Sequence, residues 1–182
     1  ENDQTTKEFY GFDGQVRDDY GESFEIIGNK FNFNLTTACD PISMRTMKGT
    51  AEAPVIVANN EIIVSSDNNS SFGIKLGNTS SNVNIAYNTV NINGNAKSAA
   101  MYINDLNLEN VNIVNNIFMN QAGGYAYRYY KADCVALPKY AHNVAYTSGD
   151  VFASDKNDIT SYDDWKAISG ETDGQNVLVN FV

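Results

Sequence analysis

An all-β fold of stacked repeats is predicted by three features of this sequence. An asparagine-hinged pattern recurs, apolar residues alternate on both sides of each hinge, and the connections are short and rich in Asn, Ser and Gly. The hinge is an apolar residue, any two residues, an asparagine, any one residue and a second apolar residue. It occurs at Ile26, Asn29, Phe31; at Val57, Asn60, Ile62; at Ile85, Asn88, Val90; at Ile113, Asn116, Phe118; and more loosely at Tyr140, Asn143, Ala145. The asparagines are 31, 28, 28 and 27 residues apart, and Phe24, Val55, Val83 and Val111 extend the register. A fixed period of this length marks repeats that stack and share one core.

Midway between hinges lies a third alternating segment: "ISMRTM" (42–47), "FGIKLG" (72–77), "AMYIND" (100–105) and "YAYRYY" (125–130). Three short strands per 27 to 31 residues, joined by turns such as "SSDNNSS" and "LGNTSSN", leave no room for a helix within a repeat. A three-stranded coil that stacks on its neighbours is a parallel β-helix, here of about five coils. The recurring Asn29, Asn60, Asn88, Asn116 and Asn143 have a physical role: asparagine tolerates the left-handed backbone of a sharp bend, and stacked amides hydrogen-bond from coil to coil as an Asn ladder. The coils cover 24–147; residues 1–23 read as an N-terminal cap or incomplete first coil, and 148–182, with "SYDDWKAISG" as one short helix, as a C-terminal cap.

Composition narrows the function. With 182 residues and 42% hydrophobic side chains the chain can bury one core. Its 22 acidic residues against 12 basic ones give a net charge of −10, which argues against nucleic acid, whose phosphates are neutralised by Lys and Arg. No run reaches the ~20 apolar residues of a membrane span, and the polar start "ENDQTTKEFYGFDG" is not a signal peptide, so any export signal is expected to have been removed. Cys39 and Cys134 lie about three coils apart, on the order of 14 Å at the strand spacing, beyond the ~7 Å limit for a disulfide, and are expected to be free and buried, with a disulfide as the second reading.

The motif and coil length resemble the right-handed parallel β-helix proteins of the pectate-lyase-like superfamily, over roughly residues 24–147. The C-terminal stretch "SYDDWKAISGETDGQNVLVNFV" resembles the segment that often follows the last coil in such proteins: Trp165, Gly170, Asp173, Val177 and Phe181 occupy its positions, with Asn180 where a proline is usual. The resemblance implies a right-handed coil, a bacterial protein that is secreted or attached to the cell surface, and further chain beyond Phe181. It does not select an activity, because lyases, hydrolases, epimerases and adhesins share the architecture.

Outward side chains must supply the function. With Met44, Ile74, Leu76, Met101, Ile103, Tyr127 and Tyr129 facing inward, Arg45, Lys75, Tyr102 and Arg128 face solvent and are expected to form one column at ~4.8 Å steps. Such a column can hold an acidic polysaccharide, Arg gripping carboxylates bidentately and tyrosines, including Tyr130 of "GGYAYRYYKAD", offering a face to a sugar ring. The other reading is a solvated face of long polar side chains. Were the site a lyase, Lys75 or Arg128 would abstract the C5 proton of a uronate while another cation stabilised the enolate-like intermediate. His142, the single histidine, sits beside a hinge and reads as a stacked or solvated side chain. Asp67, Asp105, Asp133 and "DKNDITSYDD" offer oxygen ligands for calcium without a fixed loop spacing, and read first as solvated turns. The sequons at Asn34, Asn69 and Asn78 follow from composition.

Three functions stand in order: an exported carbohydrate-interacting module that binds acidic polysaccharide without catalysis; a polysaccharide lyase cleaving a uronate polymer by β-elimination; and a structural or adhesive spacer of a larger surface protein.

Overall fold

The computed structural model describes residues 9–15, 24–66, 71–104 and 107–180. After β1 (Phe9–Gln15), the chain makes five turns of three strands each. They are β2 (Glu25–Ile27), β3 (Lys30–Leu35) and β4 (Cys39–Arg45); β5 (Val55–Ala58), β6 (Glu61–Ser66) and β7 (Phe72–Gly77); β8 (Ser81–Ala86), β9 (Thr89–Asn93) and β10 (Ala99–Asn104); β11 (Glu109–Val114), β12 (Ile117–Asn120) and β13 (Tyr125–Tyr129); and β14 (Lys139–Ala141), β15 (Val144–Thr147) and β16 (Ala153–Ser154). β17 (Asp158–Ile159) and the helix α1 (Tyr162–Ser169) follow.

Every third strand pairs in parallel. The first sheet runs β1-β4-β7-β10-β13-β16, with β17 antiparallel at its end; the second runs β2-β5-β8-β11-β14; the third runs β3-β6-β9-β12-β15. The molecule is a parallel β-solenoid with three faces, as the repeat predicts.

Register keeps like residues together inside. Ile26, Val57, Ile85 and Ile113 lie in line on the second sheet, Phe31, Ile62, Val90 and Phe118 on the third, and Ile42, Ile74, Met101 and Tyr127 on the first. Most are fully buried. Where the third sheet turns into the first, two successive residues point inward. A Cβ on Gly73 would stand 2.3 Å from a Val90 methyl carbon, so only glycine fits beside Ile74. Cys39 and Cys134 are buried and free, as expected. Burial, with the Asp40 carboxylate adding to it, pushes the Cys39 thiol up to about 12 and leaves it protonated at neutral pH.

The hinge departs from its reading in sequence. The left-handed residue is the one before the ladder asparagine: Asn59, Tyr87, Asn115 and His142 have φ between 55° and 57°, and Gly28 has φ 70°. The asparagine itself is thereby free to turn its amide into the wall. Asn60, Asn88, Asn116 and Asn143 are buried, whereas Asn29 at the first coil is exposed. Each amide donates to the next in line: Asn29 to Asn60 at 3.1 Å, Asn60 to Asn88 at 2.9 Å, Asn88 to Asn116 at 3.0 Å and Asn116 to Asn143 at 3.1 Å. The same carbonyl oxygens also accept the backbone N–H of the preceding asparagine, and Asn60, Asn88, Asn116 and Asn143 donate as well to a carbonyl one coil earlier.

A carboxylate ends this stack. Asn143 donates its backbone N–H and its amide to Glu171 at 3.3 and 2.9 Å. Thr172 and Gln175 form bridges to Ala141 and Val144, so the chain retraces the hinge once more, with Asp173 left-handed at φ 55° and Gly174 opposite Asn143. A Cβ on Gly174 would meet the Glu171 carboxyl carbon at 2.7 Å, because that side chain fills the place of a sixth amide. Above it α1 closes the core. Ser161 caps the helix by accepting from the Asp164 N–H, Gly170 ends it at φ 72°, and Trp165 stacks on Tyr127 at 4.3 Å while donating to the Tyr129 hydroxyl at 2.8 Å.

Two consequences can be measured. Asn88→Ala removes the acceptor of two donors on Asn60 and a buried donor set, and is expected to cost at least about 3 kcal/mol in urea unfolding, against about 1 kcal/mol for Asn29→Ala at the exposed end. Equal costs would show that the stack is not cooperative. Desolvation raises the Glu171 pKa above the usual glutamate value, against the lowering effect of the Asn143 hydrogen bonds. A carboxyl with a raised folded pKa binds its proton more tightly when folded, so its contribution is most favourable below about 4.5 and is lost as pH rises through the folded pKa. Glu171→Gln, which keeps an acceptor, should therefore gain in stability relative to the parent as pH is raised from 4.5 to 7. A relative loss would mean that the Asn143 bonds outweigh desolvation.

Candidate functional site

The outer face of the first sheet carries the residues singled out in the sequence, in a different order. Lys75, Tyr102 and Arg128 are register partners on β7, β10 and β13, and Ser154 on β16 continues the row. Arg45 is not in it. Ile42 rather than Met44 lies opposite Ile74, which keeps both apolar residues of β4 inside; Ser43 therefore stands beside Lys75, and Arg45 aligns with Gly77 in the next outward row. Arg45 is ion-paired with Asp13 at 2.9 Å.

Lys75 is held structurally. Its ammonium lies 2.9 Å from the Asp40 carboxylate, with the lysine side chain 19% and the aspartate side chain 1% exposed. Asp40 also accepts from the Phe72 N–H at 3.2 Å. Phe72 would face inward by strict alternation with Ile74, but because Gly73 takes an inward position at the bend, its ring packs on the outer face against Tyr102, with centroids 4.5 Å apart. Arg128 spans both rings, its guanidinium carbon 5.5 Å from the Phe72 centroid and 5.6 Å from that of Tyr102, and donates to the Lys97 carbonyl at 3.1 Å. Such stacking fixes the plane of the guanidinium and leaves donors for a ligand. Burial raises the Tyr102 pKa, and Arg128 and Lys75 only partly offset it, so the phenol stays protonated; it donates to the Asn104 amide oxygen at 3.2 Å.

Tyr130 follows β13 and is 42% exposed. Two ammonium groups flank its ring, Lys156 at 4.5 Å and Lys131 at 5.5 Å from the centroid. Tyr102, Arg128, Tyr129, Tyr130, Ser154 and Lys156 line a cleft of about 220 Å³. Arg128, Lys131 and Lys156, three of the chain's 12 basic residues, have no carboxylate within ion-pair distance among the described residues. The cleft is thus a cationic, aromatic spot on an acidic protein.

Phe72, Asp40, Lys131, Lys156 and Ser154 were not found by sequence reasoning. Lys156 lies in a loop outside the repeat and has no periodic signal; an acidic residue before a middle strand, as Asp40 is, could have indicated the ion pair. The remaining candidates separate. His142 is exposed at a hinge, 3.9 Å from Asp173. Asp67, Asp105 and Asn69 lie outside the described residues, as does Phe181. Among the described residues no group of three His, Cys, Asp or Glu side chains is placed to hold a metal ion, and Asp133 is exposed in a single helical turn. No helix among the described residues is long and apolar enough to cross a membrane.

Lys75→Ala would take the Lys75 ammonium away from the buried Asp40 carboxylate, a loss on the order of 3 kcal/mol in chemical denaturation. A variant as stable as the parent would return Lys75 to the list of free ligand-binding groups. No protein-family model, no curated protein and no solved structure matches the chain, so what its surface can do rests on the geometry above.

Proposed function

We propose that the protein is an exported, cell-surface or extracellular module that binds carbohydrate, with the outer face of the first sheet taking an acidic polysaccharide. The observation that carries this reading is the grouping of Arg128, Lys156 and Lys131 around the exposed Tyr130 and half-buried Tyr102. A uronate presents one carboxylate and one apolar ring face. A stacked guanidinium can take the first, and the exposed part of the Tyr130 ring, which has the Lys156 and Lys131 ammonium groups over it, can meet the second. The cations also concentrate a polyanion locally although the whole chain carries −10.

Binding is favoured over β-elimination by how the groups are held. Lys75 is committed to Asp40, Arg128 to two ring faces and a carbonyl, and Tyr102 stays protonated, so none is poised as a base for a C5 proton. A spacer role would leave the cationic and aromatic grouping without a purpose.

Titration with polygalacturonate, alginate and chondroitin at low and high salt tests the reading. Arg128→Ala and Tyr130→Ala are each expected to weaken binding about tenfold or more, with salt weakening the parent. Binding unaffected by both substitutions would refute the site. Appearance of ultraviolet-absorbing unsaturated uronate ends in the same mixtures would replace the module with a lyase.

A further inference from the structure

A second cavity lies on another face. About 600 Å³ opens between the outer side of the third sheet, at β6, β9 and β12, and the C-terminal segment, which contributes Val179 and Asn180. This is within the size range of sites for small ligands and sugar units. Ile63 and Ile117 provide an apolar floor, Asn91 and Thr89 sit between them, and Tyr87 stands at the rim.

Two features here are unexplained by the fold. Tyr87 occupies the left-handed hinge position with φ 57° and is 61% exposed. The equivalent residues Gly28, Asn59 and Asn115 are of types that adopt this conformation at low cost, whereas a bulky aromatic there is an outlier costing on the order of 1 kcal/mol. The ring recovers little of that cost by burial. Asn91 lines this cavity, and its side-chain oxygen is buried beneath the surface without a hydrogen-bond partner. An orphaned amide at the floor of a cleft is a costly feature for a purely structural wall.

We propose that this cleft is a second binding site, taking a neutral, hydroxyl-rich ring: one glycosyl unit of an uncharged carbohydrate. A rotation of the Asn91 side chain would bring its orphaned oxygen to a ligand hydroxyl, and Thr89, Asn59 and Asn180 offer further polar partners around the same space. Tyr87 and the isoleucines present apolar surface to the ring's C–H face. Among the described residues Glu61 is the one charged lining group, paired with Lys30 at 2.9 Å, and no cation lines the cleft to hold an acid. Its ligand class thus differs from that of the first sheet.

The test follows amide chemical shifts while cellotetraose, xylotetraose, mannotetraose, maltotetraose and, separately, oligogalacturonate are added. At least one neutral sugar should perturb residues around Tyr87 and Asn91. Tyr87→Asn, which installs the residue found at Asn59 and Asn115, should keep or raise stability and weaken that binding about tenfold. Asn91→Val should weaken it while raising stability, a split that a structural role would not give. Arg128→Ala should leave it unchanged, so this site can fail or stand independently of the acidic one. Silence with every neutral sugar, perturbation here by the uronate alone, or undiminished binding by Tyr87→Asn would overturn the proposal.

Discussion

One amide in each coil must lie at the same depth in the wall, because its carbonyl oxygen is the acceptor for both donors of the asparagine one coil earlier. Asn60, Asn88 and Asn116 are each bound from two sides this way and reach back to a carbonyl in the preceding coil, so the bend between the second and third sheets is fixed relative to its neighbours. A slip of one residue would point these amides at solvent and bring polar side chains into the core. Spacing, register and burial of like on like all follow from keeping this stack intact. The stack is also directional, donors facing the C-terminus, and so it needs a terminal acceptor without a donor obligation of its own. Glu171 meets that need at the cost of burying a carboxylate, and Gly174 is what makes room for it.

That constraint decides what could be read in the sequence. A repeat that recurs because of hydrogen bonds between copies leaves a periodic signal, and the five hinges, the three-strand coil and the inward row through Ile74, Met101 and Tyr127 were all visible in it. The left-handed residue was assigned one position late, since "NN" at 59–60 and 115–116 conceals which asparagine turns the chain and which one stacks. Features made once were hidden. Glu171 acts as a rung without being asparagine, and Asn120, on an inward row with Ile92, uses its side chain to hold the turn to β13 through Ser98, Ala122 and Gly124.

The candidate site was legible in its types and not in its partners. Strict alternation brought Lys75, Tyr102 and Arg128 to one face, but it is silent on the extra inward residue at Gly73, which turns Phe72 outward under Arg128. Nor does alternation fix the register between coils of unequal length; that offset separates Arg45 from the row and gives it Asp13 as a partner. Lys156 reaches Tyr130 from a loop beyond the last coil, a contact only tertiary structure creates.

A solenoid whose core and amide stack carry its stability leaves the outward rows and the hinge residue before each stacked asparagine free to vary. The departures from a bland surface therefore carry information. At the hinge, glycine or asparagine is the residue that minimises strain, and Tyr87 keeps a strained aromatic in solvent beside an unpartnered buried oxygen. On the first sheet, cations gather on ring faces although the chain is acidic overall. Neither arrangement is needed for the inward core or the amide stack, and each presents to solvent a chemistry that a ligand could use. The two differ in charge because their charged groups differ: Arg128 and Lys156 have no carboxylate within ion-pair distance among the described residues, whereas Glu61, which lines the second cleft, is matched to Lys30. One scaffold can in this way hold two sites of different selectivity, on separate faces, without either altering the stack that supports them.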